Sequence, residues 1–418
     1  MLKKLFLKEF FLAFYLVSGE IKLIYPLLGI DSLPDITLLS AMLLSLFMLS
    51  DMPDKLKKIP IKHFEFISIF ILIYLFIIFS LGYSSSSSYA LVKTVNFGTV
   101  VLAFIFPLLT KKINIEIFIY FLTLLIFSIS IIFLNFYISY LNKDGVILLS
   151  MSREDALKLT VGYLSVAILN GLLVLYYFFK KNQNIFIQWF IFLTAFIFLF
   201  ASGGRGPLLV VLLILGTYFI YQMILSFMSF KINKLTIPIL VFVIAIGGLY
   251  VAISTNSIET NSRVYKLFDS SIERFKTLKD SKGGGKSAYS RVLYTKFSID
   301  KINEIPLLGY GIGSFGLEYN GIDEKDYPHN IFLEVWFELG IVPLFLILLL
   351  FYGVYMHIYS IKCYWCIAVY FYFFLNVLKS DSLIDIRLLG SFLGFFLLIK
   401  SQSSFQKLGQ RDNSACYY

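Results

Sequence analysis

The chain is expected to fold as an all-α integral membrane protein, on three observations. Of its 418 residues 58% are hydrophobic and only 15% charged, with a mean hydropathy of +0.81, more apolar surface than a water-soluble fold can hide. Apolar runs approaching the roughly 20 residues that a helix needs to cross a hydrocarbon layer recur from end to end between short polar breaks. The alternation of barrel strands is absent, which leaves helices as the form that satisfies the backbone in lipid.

About twelve spans are expected, near residues 5–19, 36–50, 64–82, 90–110, 115–140, 160–179, 185–201, 207–229, 236–254, 331–357, 363–378 and 383–400. They divide the chain into an N-terminal bundle of about nine spans (1–254), one long extracytoplasmic loop containing short helices (255–330), three C-terminal spans (331–400) and a tail (401–418). The start, Met1-Leu-Lys-Lys, looks like a signal peptide, but no small-residue cleavage pattern follows, so it reads as a retained first helix.

Charge orients the spans. Alternate breaks hold Lys3/Lys4/Lys8, Lys55/Lys57/Lys58/Lys62, Lys111/Lys112, Lys180/Lys181, Lys231/Lys234, Lys362 and Lys400/Lys407/Arg411. The opposite breaks are acidic, neutral or mixed, so the positive-inside rule places both termini in the cytoplasm and the long loop on the periplasmic or exterior side. The net charge of +10 is spread over these breaks rather than gathered on one face, which excludes a nucleic-acid footprint. The Ser84–Ser88 run reads as a flexible connector without chemistry. Cys363, Cys366 and Cys416 imply no disulfide framework for the exported side, and Cys363 and Cys366 have CxxC spacing but no second pair to complete a metal site.

Three features on the exported side exceed what a passive bundle needs. In Ser202-Gly203-Gly204-Arg205-Gly206-Pro207, Pro207 suits a first helical turn and leaves Arg205 at a helix start near the bilayer surface. Its guanidinium is suited either to forked bonds with phosphate oxygens or to snorkelling toward headgroups. Next, residues 288–303 read as an amphipathic helix, with Arg291 as an anion ligand or an ordinary surface residue, ahead of the glycine-rich turn Pro306-Leu307-Leu308-Gly309-Tyr310-Gly311-Ile312-Gly313. Gly283-Gly284-Gly285-Lys286-Ser287 ends like a phosphate loop, but Asp280 stands where its first glycine belongs, which argues against nucleotide binding. Last, Pro328-His329-Asn330 lies where the loop re-enters the membrane. His329 there is either a base for a hydroxyl proton or a packing histidine. Glu334 and Glu338, one turn apart below it, are candidates to orient it or to pair with an arginine. Asp381, Asp385 and Arg387, at the start of the last span, are either functional or paired with neighbouring charges.

The Gly203-Gly204-Arg205-Gly206 turn, Arg291 followed by residues 306–315, and His329-Asn330 with Gly340 resemble, in that order, the O-antigen ligase and O-antigen polymerase superfamily. The resemblance covers roughly residues 200–345. It implies a GT-C-like bundle and a metal-independent, cofactor-free, inverting glycosyltransferase. The donor and acceptor would be oligosaccharides on undecaprenyl diphosphate, with a chain-length regulator and a flippase as further partners beside the bilayer. By position, Arg205 and Arg291 would hold the diphosphate and, with His329, make up the catalytic set; Asn330, Tyr294 and Tyr310 would contact substrate, as aromatic groups such as Tyr289, Phe315 and Tyr319 also could unless packing claims them. In ligases the His-Asn element typically closes on Gly-x-x followed by Gly, Thr or Tyr. Here Pro343 follows Gly340-Ile341-Val342, which favours a polysaccharide (O-antigen or capsule) polymerase. The alternative is a ligase delivering glycan to lipid A core or another acceptor. A lipid-linked sugar transporter would place its charges deep in several helices, whereas these cluster at one face.

Overall fold

The computed structural model describes residues 7–25, 34–56, 61–110, 113–140, 153–180, 184–229 and 285–399. Among them every regular element is a helix: α1 (Leu7–Ile24), α2 (Ile36–Leu56), α3 (Ile61–Ser80), α4 (Ser88–Leu109), α5 (Ile115–Tyr140), α6 (Arg153–Phe179), α7 (Ile185–Ala201), α8 (Arg205–Ser229), α9 (Gly285–Glu304), α10 (Phe315–Asn320), α11 (Ile331–Leu339), α12 (Ile341–Ile361), α13 (Tyr364–Val377) and α14 (Arg387–Leu398). Seven of the described helices, α2 to α6, α8 and α12, are long and apolar enough to cross a membrane, and α7, α13 and α14 are shorter apolar helices. The chain is an α-helical integral membrane protein. The span expected at 236–254 lies outside the described residues.

Two expected boundaries are corrected. The run 331–357 is not one helix: it breaks at Gly340, and the long helix begins at Ile341. Gly340 has φ 85 and ψ −174, a conformation essentially confined to glycine. A Cβ there would stand 2.0 Å from the Leu307 carbonyl oxygen, so the backbone of the glycine-rich turn occupies the space a side chain needs. The last helix begins at Arg387 rather than near 383, which leaves Asp381 and Asp385 in the preceding loop.

The chain forms two compact units. The second, residues 20–31 and 126–285, packs α6 against α7 and α8. The first comprises residues 1–19, 32–125 and 286–418. In it α4 packs against α14, α2 and α3, and α12 against α3, α11 and α14. Above these helices α9 turns Tyr294, Phe297 and Ile302 inward onto Phe315 and Phe337, while Val292 and Ile299 are exposed, so the helix buries the face offset from the one its first apolar residue marks.

The Ser84–Ser88 run is an ordered clasp, not a loose connector. The Asp323 carboxylate accepts from the Ser86 and Ser88 hydroxyls and from the backbone N–H groups of Ser87 and Ser88. It thereby caps α4 from 235 residues away, satisfying donors that a helix start leaves orphaned. The Ser86 hydroxyl, first among these donors, holds that carboxyl far below the usual carboxylate range. Ser84 donates to the Ile312 carbonyl (2.7 Å), and Gly311, at φ 88, passes so close to Ser84 that a Cβ would come within 2.3 Å of its Cα.

Candidate active site

His329 is held in left-handed backbone (φ 56), which costs a non-glycine residue free energy and persists only where the surroundings fix it. Pro328 before it is buried, and Asn330 after it caps α11 by accepting from Phe332 N (3.0 Å) and Leu333 N (3.2 Å). The imidazole lies between two phenol rings, stacked on Tyr294 at 5.8 Å and tilted against Tyr327 at 4.5 Å. It hydrogen-bonds to the backbone of Ser380, while its Nδ1 is buried with no hydrogen-bond partner. Nε2–H is therefore the donor to the Ser380 carbonyl, and Nδ1 of the neutral ring keeps its lone pair. Burial, then the nearby Arg291 cation, lowers the pKa of His329 below 6.5. At neutral pH the ring is uncharged and able to take a proton at Nδ1.

Arg291 stands one turn before Tyr294 on α9, and its Nε is buried without a hydrogen-bond partner. A third basic group joins them. Lys379, half-buried at the end of α13, has its pKa lowered by burial and by Arg291, and no carboxylate among the described residues stands within ion-pair distance of it. Cations crowded in this way repel one another, and a bound anion relieves the repulsion. The neighbouring carboxylates are engaged elsewhere. Asp326 accepts from the Tyr294 hydroxyl (3.2 Å) and the Tyr327 N–H (2.9 Å), and Asp385 pairs with Lys325 at 3.0 Å. Burial and the Asp385 charge push the Asp381 carboxyl up to about 7.

Glu334 and Glu338 bond neither to His329 nor to an arginine. Both are buried against Lys93 of α4, with Nζ at 2.6 Å from Glu334 and 2.7 Å from Glu338, and none of the three side chains exposed by more than 1%. Glu334 also accepts from Ser382 Oγ (2.7 Å) and Leu383 N (2.9 Å). Arg387 turns to α1 instead, donating to Ser18 Oγ at 3.2 Å over the Tyr15 ring.

The first unit thus brings together Arg291, His329, Tyr294 and Asn330. Tyr310 stacks on Phe337 (5.0 Å) and donates to Glu304 (2.7 Å); Phe315 and Tyr319 belong to the same aromatic packing. The side chain of Tyr289 lies outside the described residues. Arg205 belongs to the second unit, where it is the first residue of α8, with Pro207 in the same turn.

Residues 190–348 match a family model described as O-antigen ligase. Over that stretch, less than half of its length, the chain is similar to the O-antigen ligase family. Two curated proteins, of Rickettsia felis and Rickettsia conorii, both named as candidate polysaccharide ligases, are each 30% identical to the chain, over 186 and 174 residues. Those stretches are 40% and 38% of this chain, and the chain spans less than half the length of these relatives, 44% and 41%. Within the matched segment Pro343 has a plain structural reading. It is the third residue of α12, where the N–H a proline lacks has no intrahelical acceptor, so the residue fits the fold.

Sequence reasoning passed over Lys93 and gave Lys379 no role beyond topology. Both had a signal: Lys93 is a lone cation within an apolar run, where a charge is rare and usually paired, and Lys379 lies in the same polar break as Asp381.

Proposed function

We propose that this protein is a glycosyltransferase that moves a glycan from undecaprenyl diphosphate to an acceptor hydroxyl at the outer face of a bacterial plasma membrane. The observation that carries the reading is the juxtaposition of Arg291, Lys379 and an uncharged His329 with an unengaged Nδ1. In this chemistry the acceptor oxygen bonds to the anomeric carbon as the bond from that carbon to the diphosphate oxygen breaks. The electron pair leaves with the diphosphate, whose growing charge Arg291 and Lys379 stabilise. The hydroxyl proton passes to His329 Nδ1. The resemblance alone, not the geometry, adds Arg205 as a further diphosphate ligand. Attack from the face opposite the leaving group inverts the anomeric centre.

Of the two readings, the comparisons favour the ligase, which delivers glycan to lipid A core or another acceptor. The polymerase reading rests on Pro343 and on the compactness of the chain. Purified protein incubated with undecaprenyl-diphosphate glycan separates them. Transfer only when lipid A core is added supports the ligase, and a ladder of lengthening glycan from the donor alone supports the polymerase. Arg291→Ala and His329→Ala should abolish either product while the protein stays folded and inserted; full activity in both would overturn the proposal.

A further inference from the structure

The buried charge cluster beneath the site has a geometry beyond what holding helices together requires. Lys93 fixes Glu334, and Glu334 in turn holds two consecutive groups of the loop between α13 and α14, the Ser382 hydroxyl and the Leu383 N–H. Two residues earlier that loop presents the Ser380 carbonyl, which accepts from the His329 ring and from the Tyr327 hydroxyl at 3.4 Å. On its other side Glu334 is part of α11, the helix that Asn330 caps immediately after His329. Both attachments of the imidazole, its backbone through α11 and its Nε2–H through Ser380, therefore converge on one carboxylate. Glu338 shares the same lysine. A second group that orients a base is the usual means of fixing its tautomer.

We infer that Lys93 and Glu334 are positioning residues for His329, fixing through residues 380–383 which ring nitrogen is presented to the acceptor. The inference rests on the proposed role of His329 as base. Without the clamp the Ser380 carbonyl would leave the ring, Nε2 and Nδ1 would compete for the proton, and the pKa of His329 would fall, because that hydrogen bond favours the charged form. The charged and titratable groups around His329 are Arg291 and Tyr294 of α9, Asp326 and Tyr327 of its own loop, Glu334 of α11, and Lys379 and Asp381 of the loop between α13 and α14. Glu334→Gln removes one of these charges as well as the clamp. Ser382→Ala leaves every charge in place and is the deciding variant.

The test reads His329 directly. The chain has three histidines, and diethylpyrocarbonate acylates an imidazole only in its neutral form. The rate of modification of the His329 peptide against pH, followed by mass spectrometry on the purified full-length protein, therefore gives its titration midpoint. In Ser382→Ala the midpoint should fall by about 0.5 pH unit, the size of one neutral hydrogen bond. Ser382→Thr, which keeps the hydroxyl, should restore it, and Glu334→Gln should fall further. With transfer as the readout, kcat should drop about tenfold in Glu334→Gln while KM for the lipid-linked donor changes little, as misorientation of a base predicts. An unchanged His329 midpoint in folded Ser382→Ala protein overturns the inference. A shifted midpoint in a protein that transfers no glycan upholds the positioning role and removes the proposed function instead.

Discussion

Replacing Lys93 by methionine is the most informative perturbation of stability. The side chain is fully buried in α4, with carboxylates at 2.6 and 2.7 Å, so the change deletes the one cation that, among the described residues, is set against these two buried carboxylates. The near-isosteric methionine keeps the volume, and the cost is almost wholly electrostatic. Removing one partner of a buried pair costs about 3–5 kcal/mol. At roughly 2 °C per kcal/mol for a large chain, Lys93→Met should melt on the order of 6–10 °C below the native protein. The measurement is the loss of monodisperse protein on size exclusion after heating in detergent. Substituting Glu338→Leu in the same chain removes one uncompensated anion and should recover about half of the loss, a non-additivity expected of groups in direct contact. A melting point within about 2 °C of native for Lys93→Met would refute the reasoning, because it would mean that water or a proton already neutralises the cluster.

Gly340→Ala should be more damaging than an ordinary glycine change, by about 3 kcal/mol or more, since the new Cβ meets the Leu307 carbonyl; thermal melting and yield of folded protein report it. Asp323→Asn should cost about 1 kcal/mol, as loss of a helix cap does. Because the Asp323 carboxyl is held below its ordinary value of 3.8, its contribution is complete above that pH and is lost only as the pH falls further, so native and variant melting curves should converge in strong acid. His329, by contrast, must be neutral to act, and its pKa is depressed below 6.5. The acid limb of glycan transfer should therefore fall below pH 6.5, and Arg291→Gln, which removes a depressing charge, should move that limb upward in whatever activity remains.

The helices that form spans were legible because each buries its backbone through its own apolar run, a property of contiguous residues. So was α9, whose polar and apolar residues alternate at helical spacing. The break at Gly340 was not, because hydropathy averages over a single residue, and what ends α11 is a carbonyl that approaches from Leu307. The Ser84–Ser88 run looked loose for the same reason: its order comes from Asp323 and Ile312, well over 200 residues away in the chain. Glu334 and Glu338 could be assigned to one helical face from their spacing, but not to Lys93, because partner choice is settled only by tertiary packing. Arg291 and His329 drew notice as polar groups at helix edges, and the fold gathers both with Lys379, a residue unremarkable in its own neighbourhood.

The distance in sequence between Lys93 and its partners also bears on how the protein is made. Lys93 leaves the ribosome 245 residues before Glu338, which at about 5–20 residues per second is an interval of roughly 12 to 50 s. Throughout that time a charged ammonium belongs to a helix otherwise suited to lipid, and a lysine at mid-bilayer depth costs about 2.5–3.5 kcal/mol on insertion. Lys93 lies in the second turn of α4, close enough to the helix end for its four-carbon stem to reach water. The nascent helix is therefore expected to wait shallowly inserted, with the ammonium among the headgroups, and to settle only when α11 arrives. Chains truncated before Glu334 should expose Lys93 to water-soluble amine reagents, and completed chains should not.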